Sequence, residues 1–220
     1  MVSIKDLIAE LIGTFILVFA ITTAIVAGIS VSDSFGLPNI IAIALTAGLT
    51  LAALAYSFGP VSGGHFNPAV TISLWFAGKF PAKKVLYYVS AQFLGGILAS
   101  TILFGITGMR QAGATTTGSF GLEAALIVET IATALFVIVI LSVTSNKETA
   151  HHAPLAIGFY LLVAHLYAIP FSGSSLNPAR SLGPALVTGG AALTQLWIYF
   201  VGPIIGGLLG ALVFRHLLDK

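Results

Sequence analysis

A chain of 220 residues with 57% hydrophobic and only 7% charged residues cannot solvate the surface of a soluble domain, which carries about 25% charged residues. The formal net charge of +2 is too small to favour a nucleic acid partner. The absence of cysteine excludes disulfide bonds. The composition therefore predicts an integral, multi-pass protein of the lipid bilayer.

Six long apolar segments follow one another along the chain. They cover roughly residues 7–29, 39–58, 84–106, 121–143, 154–169 and 194–214. Most of them approach the ~20 residues that span a bilayer core as a helix. The first is too long for the core of a signal peptide and lacks a basic segment before it, so we expect a retained helix.

Two shorter apolar segments, at about 68–77 and 178–187, each begin directly after an Asn. Asn is a favoured N-cap and Pro suits the first helical position, so each Asn-Pro pair predicts the start of a helix. Ten residues at ~1.5 Å rise give about 15 Å, half the thickness of a bilayer core. We expect two half-helices that end inside the membrane.

The two half-helices belong to a duplication. Asn67-Pro68-Ala69 recurs 110 residues later as Asn177-Pro178-Ala179, and neighbouring positions match at the same offset: Gly48 with Gly158, Leu51 with Leu161, Pro60 with Pro170, Ser62 with Ser172, and Gly63 with Gly173. The sequence thus predicts a single domain, 1–220, made of two repeats at about 1–110 and 119–220. Three spans in each half give the repeats opposite orientation.

Basic residues predict the orientation in the membrane. Six spans place both termini on one side, together with the connections at 79–84 and 145–152. That side collects seven of the nine Lys and Arg residues, namely Lys5, Lys79, Lys83, Lys84, Lys147, Arg215 and Lys220, and leaves Arg110 and Arg180 on the other. The positive-inside rule makes it cytoplasmic, and the cell membrane is the expected location.

Opposed half-helices would meet N-terminus to N-terminus at the centre of a pore. Each N-terminus carries roughly +0.5 charge, so the centre would oppose cations and protons. Asn67 and Asn177 would cap these ends and present amide donors to the lumen. The non-helical backbone before them is tolerated at membrane depth only where it is buried or lines a cavity. Its carbonyls would form a ladder of acceptors, at Gly63, Gly64, His65, Gly173, Ser174 and Ser175.

The stretches Ser62-Gly63-Gly64-His65-Phe66-Asn67-Pro68-Ala69-Val70-Thr71 and Asn177-Pro178-Ala179-Arg180-Ser181 resemble the two characteristic loops of the aquaporin (major intrinsic protein) family. The resemblance covers essentially the whole chain. It implies an all-α membrane protein with six transmembrane helices plus two re-entrant half-helices, as an inverted repeat of two three-helix halves. It also implies a passive water channel that needs no cofactor or metal, is not an enzyme and forms a homotetramer.

The same resemblance assigns roles to individual residues. It implies that Asn67 and Asn177 donate hydrogen bonds to a passing water, whose own hydrogens then point away along the pore. Arg180 resembles the arginine of the outer selectivity filter, which repels cations. His165 and Ser174 occupy two further filter positions, the latter through its carbonyl. Ala47 occupies the fourth, where strict water channels usually have a bulky aromatic residue.

Ala47 predicts a wider filter and leaves open a facilitator of glycerol, ammonia or hydrogen peroxide with the same fold. Ser181 instead favours water, since glycerol-conducting relatives usually have Asp there. Tyr199 and Phe200 resemble the aromatic pair of the water-conducting branch. Water therefore comes first, with other small neutral solutes as the alternative.

Two acidic residues lie inside apolar runs, Glu10 and Glu129, in related sequence patterns. A buried carboxylate in a span is costly and needs partners. One hypothesis is a proton or ion relay in a coupled secondary transporter, which would show saturable, ion-dependent uptake. The other is structural: each carboxylate accepts hydrogen bonds from a re-entrant loop, a network that would include His65. Repetition once per half favours the structural role.

Small residues also recur at helical spacing. Gly96 and Ser100 lie on the third span, and Gly206 and Gly210 on the sixth. They predict close helix approach, either within one subunit or between subunits.

Overall fold

The computed structural model describes residues 3–31, 36–108 and 113–219, and over these ranges every regular element is helical. Six helices are long and apolar enough to cross a membrane, which confirms the six predicted spans. The long helices are α1 (Ile4–Val31), α2 (Leu37–Ser62), α4 (Ala82–Thr107), α5 (Gly121–Ser145), α6 (Ala153–Ser172) and α9 (Ile198–Val213). Short elements are α3 (Pro68–Phe76), α7 (Pro178–Thr188) and α8 (Gly190–Thr194), with a 3₁₀ turn at Ala150–His152 and a π-helical turn at Phe214–Leu218.

The two half-helices begin where the sequence predicts. Asn67 caps α3, and its side-chain oxygen accepts a hydrogen bond from the N–H of Ala69 at 2.9 Å. Asn177 caps α7 and accepts from the N–H groups of Ala179 at 2.9 Å and Arg180 at 3.4 Å. With 9 and 11 residues, both helices are too short to cross a bilayer.

The predicted ends of two spans, at 58 and 169, are wrong. α2 and α6 continue through Pro60 and Pro170 to Ser62 and Ser172. Each then ends at a glycine with left-handed backbone, Gly63 (φ +93°) and Gly173 (φ +70°), whose N–H donates at 2.9 Å to the carbonyl four residues earlier. The sixth span, Gly190–Leu218, consists of α8, α9 and the π-helical turn.

Each half-helix packs against the opposite half of the chain as well as its own. α1 packs against α2 and α4, α5 packs against α6 and α9, and α2 contacts α6 between the two groups. α3 lies against α9, and α7 lies against α4. The half-helices therefore tie the two groups together at the centre of the molecule.

The small residues permit close approaches within this one chain. A Cβ on Gly96 would collide with the carbonyl oxygen of Ala179, so α7 passes directly over α4. On α9, Gly206 faces the carbonyl of Thr130 and Gly210 that of Ala134 in the same way. These glycines therefore mediate helix contacts within the subunit.

Basic and acidic side chains join three segments at one end of the molecule. Lys84 contacts Asp6 at the start of α1, and Lys79 contacts Asp219 near the end of the chain, both at 3.0 Å. The two terminal regions and the α3–α4 connection thus share one end. Arg110 and Lys220, which also entered the orientation prediction, lie outside the described residues.

Substituting Gly96 by Ala should destabilise the protein by about 1–3 kcal/mol, because the methyl group overpacks the α4–α7 contact. Gly105→Ala, on the same helix, is the matched control, since an added Cβ there would have no neighbouring atom within 4 Å. Thermal unfolding of the detergent-solubilised protein, followed by circular dichroism, measures both. Equal unfolding temperatures for the two variants would contradict the close packing.

Candidate functional site

The segments before the two Asn caps have the same backbone conformation. Left-handed φ values occur at three positions in each, offset by 110 residues: Gly63 (+93°), Gly64 (+66°) and Phe66 (+50°), then Gly173 (+70°), Ser174 (+52°) and Leu176 (+54°). A non-glycine residue held in this region costs of order 1–3 kcal/mol and persists only where its surroundings enforce it. Each loop therefore needs partners that hold it.

Glu10 supplies those partners for the first loop. Its side chain is completely buried on α1, and one carboxylate oxygen accepts from Ser62 Oγ at 2.7 Å and the N–H of His65 at 3.0 Å. The other accepts from the N–H of Phe66 and from Gln92 Nε2, both at 2.7 Å. Backbone N–H groups in alternating left-handed conformation form a concave anion site, which this carboxylate occupies.

Glu129 repeats the arrangement on α5. One carboxylate oxygen accepts from Ser172 Oγ at 2.7 Å and the N–H of Ser175 at 2.8 Å, and the other accepts from the N–H of Leu176 at 2.7 Å. Its side chain is also completely buried. Both carboxyl groups thus accept hydrogen bonds from the loops. This agrees with the structural hypothesis and does not favour a proton or ion relay.

A pair of tyrosines holds the helix ends that lead into the loops. The hydroxyl of Tyr88 donates to the carbonyl of Ser62 at 2.8 Å, and that of Tyr199 donates to the carbonyl of Ser172 at 2.7 Å. These are terminal helix carbonyls that lack a helical partner. Sequence reasoning missed Tyr88 and gave Tyr199 a different role, although the pair recurs at nearly the offset of the repeat.

The two Asn side chains join the loops to each other. Asn67 Nδ2 donates to the carbonyl of Leu176 at 2.8 Å, and Asn177 Nδ2 donates to the carbonyl of Phe66 at 2.9 Å. Each amide nitrogen carries two N–H groups. Among the described residues one of these has a protein partner and the other is left for the cavity that both Asn residues border.

That narrow cavity has a volume of about 20 Å³. About 10–15 Å³ is enough to hold one water, so the space suits a single molecule. Its lining divides by chemistry into a polar side, with His65, Asn67, His165, Ser175, Asn177 and Arg180, and an apolar side, with Leu17, Ile21, Leu51, Phe136 and Leu161. We call it the narrow cavity.

A wider cavity of about 660 Å³ adjoins it. His65, Leu51 and Phe136 border both spaces. The wide cavity extends to Lys79 and His151, and so to the end of the molecule that carries the Lys79–Asp219 ion pair. The two cavities thus share part of their walls, and together their linings reach from this end to Arg180.

Arg180 and His165 both border the narrow cavity, and among the described residues each has a buried nitrogen atom without a protein partner. Arg180 is 1% exposed, and its Nη1 donates to the carbonyl of Gly113 at 2.9 Å. His165 Nδ1 lies 3.0 Å from the carbonyl of Leu161, which can only accept, so Nδ1 carries the proton. In the part of the chain that is described, Arg180 Nε and His165 Nε2 have no partner. In the neutral ring with this tautomer, Nε2 of His165 is an acceptor, whereas Arg180 can only donate.

The other two predicted filter residues lie elsewhere. Ala47 and Ser174 are completely buried, and neither borders the narrow cavity. Of the predicted pore carbonyls, the structure places Gly63, Gly64 and His65 beside the wide cavity and Ser175 beside the narrow one, whereas Gly173 and Ser174 border neither. The first turns of the half-helices, with Pro68, Ala69, Pro178 and Ala179, are buried behind the Asn side chains.

A chain of hydroxyl groups connects Thr115, in the segment between α4 and α5, to Asn177. Thr115 Oγ1 lies 2.7 Å from Ser181 Oγ, which donates to Ser175 Oγ at 2.7 Å. Ser175 Oγ in turn donates to the carbonyl of Asn177 at 2.8 Å. Sequence reasoning missed Thr115, because a lone Thr in a connecting segment carries no periodic signal.

Comparison with known proteins agrees with this geometry. The sequence model of the family described as "Major intrinsic protein" matches residues 1–214. The chain belongs to the major intrinsic protein family. It is 41% identical to "Aquaporin Z" of Brucella melitensis biotype 1 over 99% of each chain, and 41% identical to "Aquaporin Z" of Rhodopseudomonas palustris over 96% of this chain and 92% of that one.

A solved structure shares the fold. The aquaglyceroporin from Plasmodium falciparum superposes with a TM-score of 0.86 at 24% identity, covering 98% of this chain and 96% of that one. Members of the family are passive channels. The protein is therefore a multi-pass membrane channel for water or small solutes and not an enzyme.

Replacing Glu129 by Gln should lower the yield of folded protein more than it alters selectivity. The amide has one acceptor oxygen where the carboxylate uses two, so a buried loop N–H loses its partner at about 1–3 kcal/mol. Glu123→Gln, on the exposed first turn of the same helix, is the control. Size-exclusion chromatography and solute flux of the surviving protein measure both effects. Normal yield with lost conduction would point to a relay.

Proposed function

We propose that this channel conducts water down osmotic gradients, favours water over glycerol, and excludes ions and protons. The observation that carries the proposal is the narrow cavity, whose volume of about 20 Å³ leaves room for about one water between Asn67, Asn177, His165 and Arg180. Water would have to pass in single file. A larger polyol would have to displace part of the wall.

The division of the cavity lining supports proton exclusion. The two Asn amides each offer one N–H, while the apolar residues of the lining offer no hydrogen bond. A water that accepts from both amides must direct its own hydrogens along the pore, towards its two neighbours. Waters on either side then have opposite orientation, and the chain that would carry a proton is interrupted.

Two further features oppose cations. The N-termini of α3 and α7 meet at the centre, where each contributes roughly +0.5 charge. Arg180 adds a full charge that is nearly completely buried. An ion would also lose its hydration shell in a cavity whose apolar side cannot replace it.

A facilitator of glycerol, ammonia or hydrogen peroxide is the second candidate. Its sequence support is Ala47, and one structural relative is named an aquaglyceroporin. Ala47 does not border the narrow cavity, however, so its small side chain adds no room there. The relatives of higher identity carry the name Aquaporin Z.

The larger organisation is proposed on the same basis. We propose that 1–110 and 119–220 are inverted repeats within one channel domain, which the reciprocal Asn67–Leu176 and Asn177–Phe66 hydrogen bonds support. We also propose a homotetramer in the cell membrane with both termini cytoplasmic. The basic end formed by Lys79, Lys84 and Arg215 supports the orientation, and the family supports the tetramer.

Proteoliposomes containing the purified protein should shrink rapidly under a gradient of impermeant sugar and re-swell little under glycerol. The reason is the one-water volume of the narrow cavity. Stopped-flow light scattering measures both, with protein-free vesicles as the control. Fast glycerol re-swelling would favour the facilitator, and shrinkage no faster than in empty vesicles would reject a water channel.

Replacing Arg180 by Val should raise cation leakage by roughly tenfold or more, because a unit charge at ~4 Å contributes about 4 kcal/mol at intermediate effective dielectric. Arg215→Val, which removes an exposed charge at the end of the chain, is the matched control. Fluorescent detection of Na⁺ influx into the vesicles measures the leak. Unchanged leakage in Arg180→Val would mean that the helix dipoles at the centre are sufficient to exclude cations without this arginine.

A further inference from the structure

We propose that Ile21 on α1 sets the width of the narrow cavity opposite Arg180 and His165, in place of the residue at position 47. The inference rests on the proposed water-channel function and names the side chain that excludes glycerol from it. It adds a residue of the first helix to the selectivity of this channel, at a position that the sequence pattern did not single out.

Ile21 forms part of the apolar side of the narrow cavity, together with Leu17 one turn earlier. Residues four apart lie on one face of a helix, so α1 presents a continuous apolar face to the lumen. Ile21 is 2% exposed, so its side chain is almost completely packed by the protein. Arg180 and His165 border the same cavity.

Ala47 is not part of this lining. It belongs to the same buried apolar cluster as Ile21 and is completely buried, but it does not border the cavity. The adjacent Gly48 holds α2 directly against α6, since a Cβ there would collide with Gly158 and Leu162. This contact fixes α2 in place. A small residue at position 47 therefore leaves room for a large side chain on α1 and does not widen the pore.

The chemistry of isoleucine suits a rigid wall. A β-branched side chain in a helix has one strongly preferred χ1 rotamer, so Ile21 cannot swing aside as easily as Leu17. The backbone of α1 is also held in place. Glu10 on this helix is hydrogen-bonded to the first loop, and Leu11 is in close contact with Gly95. If Ile21 were shortened, α1 could not move in to fill the space.

The isoleucines at the equivalent position of the two halves border different cavities. Glu10 and Glu129 are 119 residues apart, and the same offset relates Leu17 to Phe136 and Ile21 to Ile140. Leu17 and Phe136 both border the narrow cavity. Ile140, in contrast, borders the wide one. Only the first half places its isoleucine at the constriction.

The test compares Ile21→Ala with Ile43→Ala in proteoliposomes, by stopped-flow measurement of water and glycerol permeability. Ile43 has the same burial and lies in the same apolar cluster, but borders neither cavity. We expect the glycerol-to-water ratio to rise roughly tenfold in Ile21→Ala, as for a hydrophobic wall shortened by more than one carbon, and to stay unchanged in Ile43→Ala. The double variant Ile21→Ala/Ala47→Phe should lower the ratio again, because a large side chain from α2 refills the space.

An unchanged ratio in Ile21→Ala, or an equal rise in Ile43→Ala, would overturn the inference. If Ile21→Ala does not fold, Ile21→Val replaces it in the test. We then expect a smaller rise in the glycerol-to-water ratio, and an unchanged ratio would again contradict the inference. The unsubstituted protein separates the two proposals. Failure of that protein to conduct water, or free passage of glycerol through it, rejects the proposed function, whereas normal wild-type selectivity with an unaffected Ile21→Ala rejects only the role of Ile21.

Discussion

Two buried carboxyl groups hold non-helical backbone in the middle of a membrane protein, and the pore depends on them. Open backbone at this depth has no water to bind, and each unsatisfied group costs several kcal/mol. Glu10 and Glu129 satisfy the loop donors from α1 and α5, while Tyr88 and Tyr199 satisfy the last carbonyls of α2 and α6. The strained left-handed residues at the loops persist because these partners enforce them.

The position of the two Asn side chains follows from that bracing. Once both loops are fixed, each amide oxygen is taken by its own half-helix and one amide N–H by the opposite loop. Only one orientation of each side chain satisfies both bonds. The remaining N–H groups are therefore preorganised for a permeating water, which needs no rearrangement of the protein as it passes.

The repeat is nearly symmetric in its bracing and asymmetric in its lining. Arg180 corresponds to Val70 at the offset of 110 residues, and Val70 borders the wide cavity, where it adds no charge. A buried arginine thus borders the narrow cavity, whereas a neutral residue occupies the equivalent position at the wide one. We therefore propose that the duplication supplies the architecture and that departures from the repeat supply the selectivity.

The sequence predicts those features that depend on local chemistry. Asn-Pro pairs are caps with a fixed first turn, and a Glu in each half of an apolar chain needs loop donors, so the half-helix starts and the pairing partners of Glu10 and Glu129 could be expected. The ends of α2 and α6 could not, because Tyr88 and Tyr199 reach them from distant helices. Ala47 was assigned to the filter by family resemblance, and only the packed structure shows that it is absent from the lining of the narrow cavity. Thr115 depends in the same way on a tertiary hydrogen bond.

The most direct measurement records osmotic water flux and proton flux in the same proteoliposomes, with a pH-sensitive dye inside the vesicles. The paired amide donors predict rapid water flow with proton permeability no higher than that of protein-free vesicles. Proton flux that rises together with water flux would contradict the account, because it would mean that the waters between Asn67 and Asn177 form an unbroken hydrogen-bonded chain.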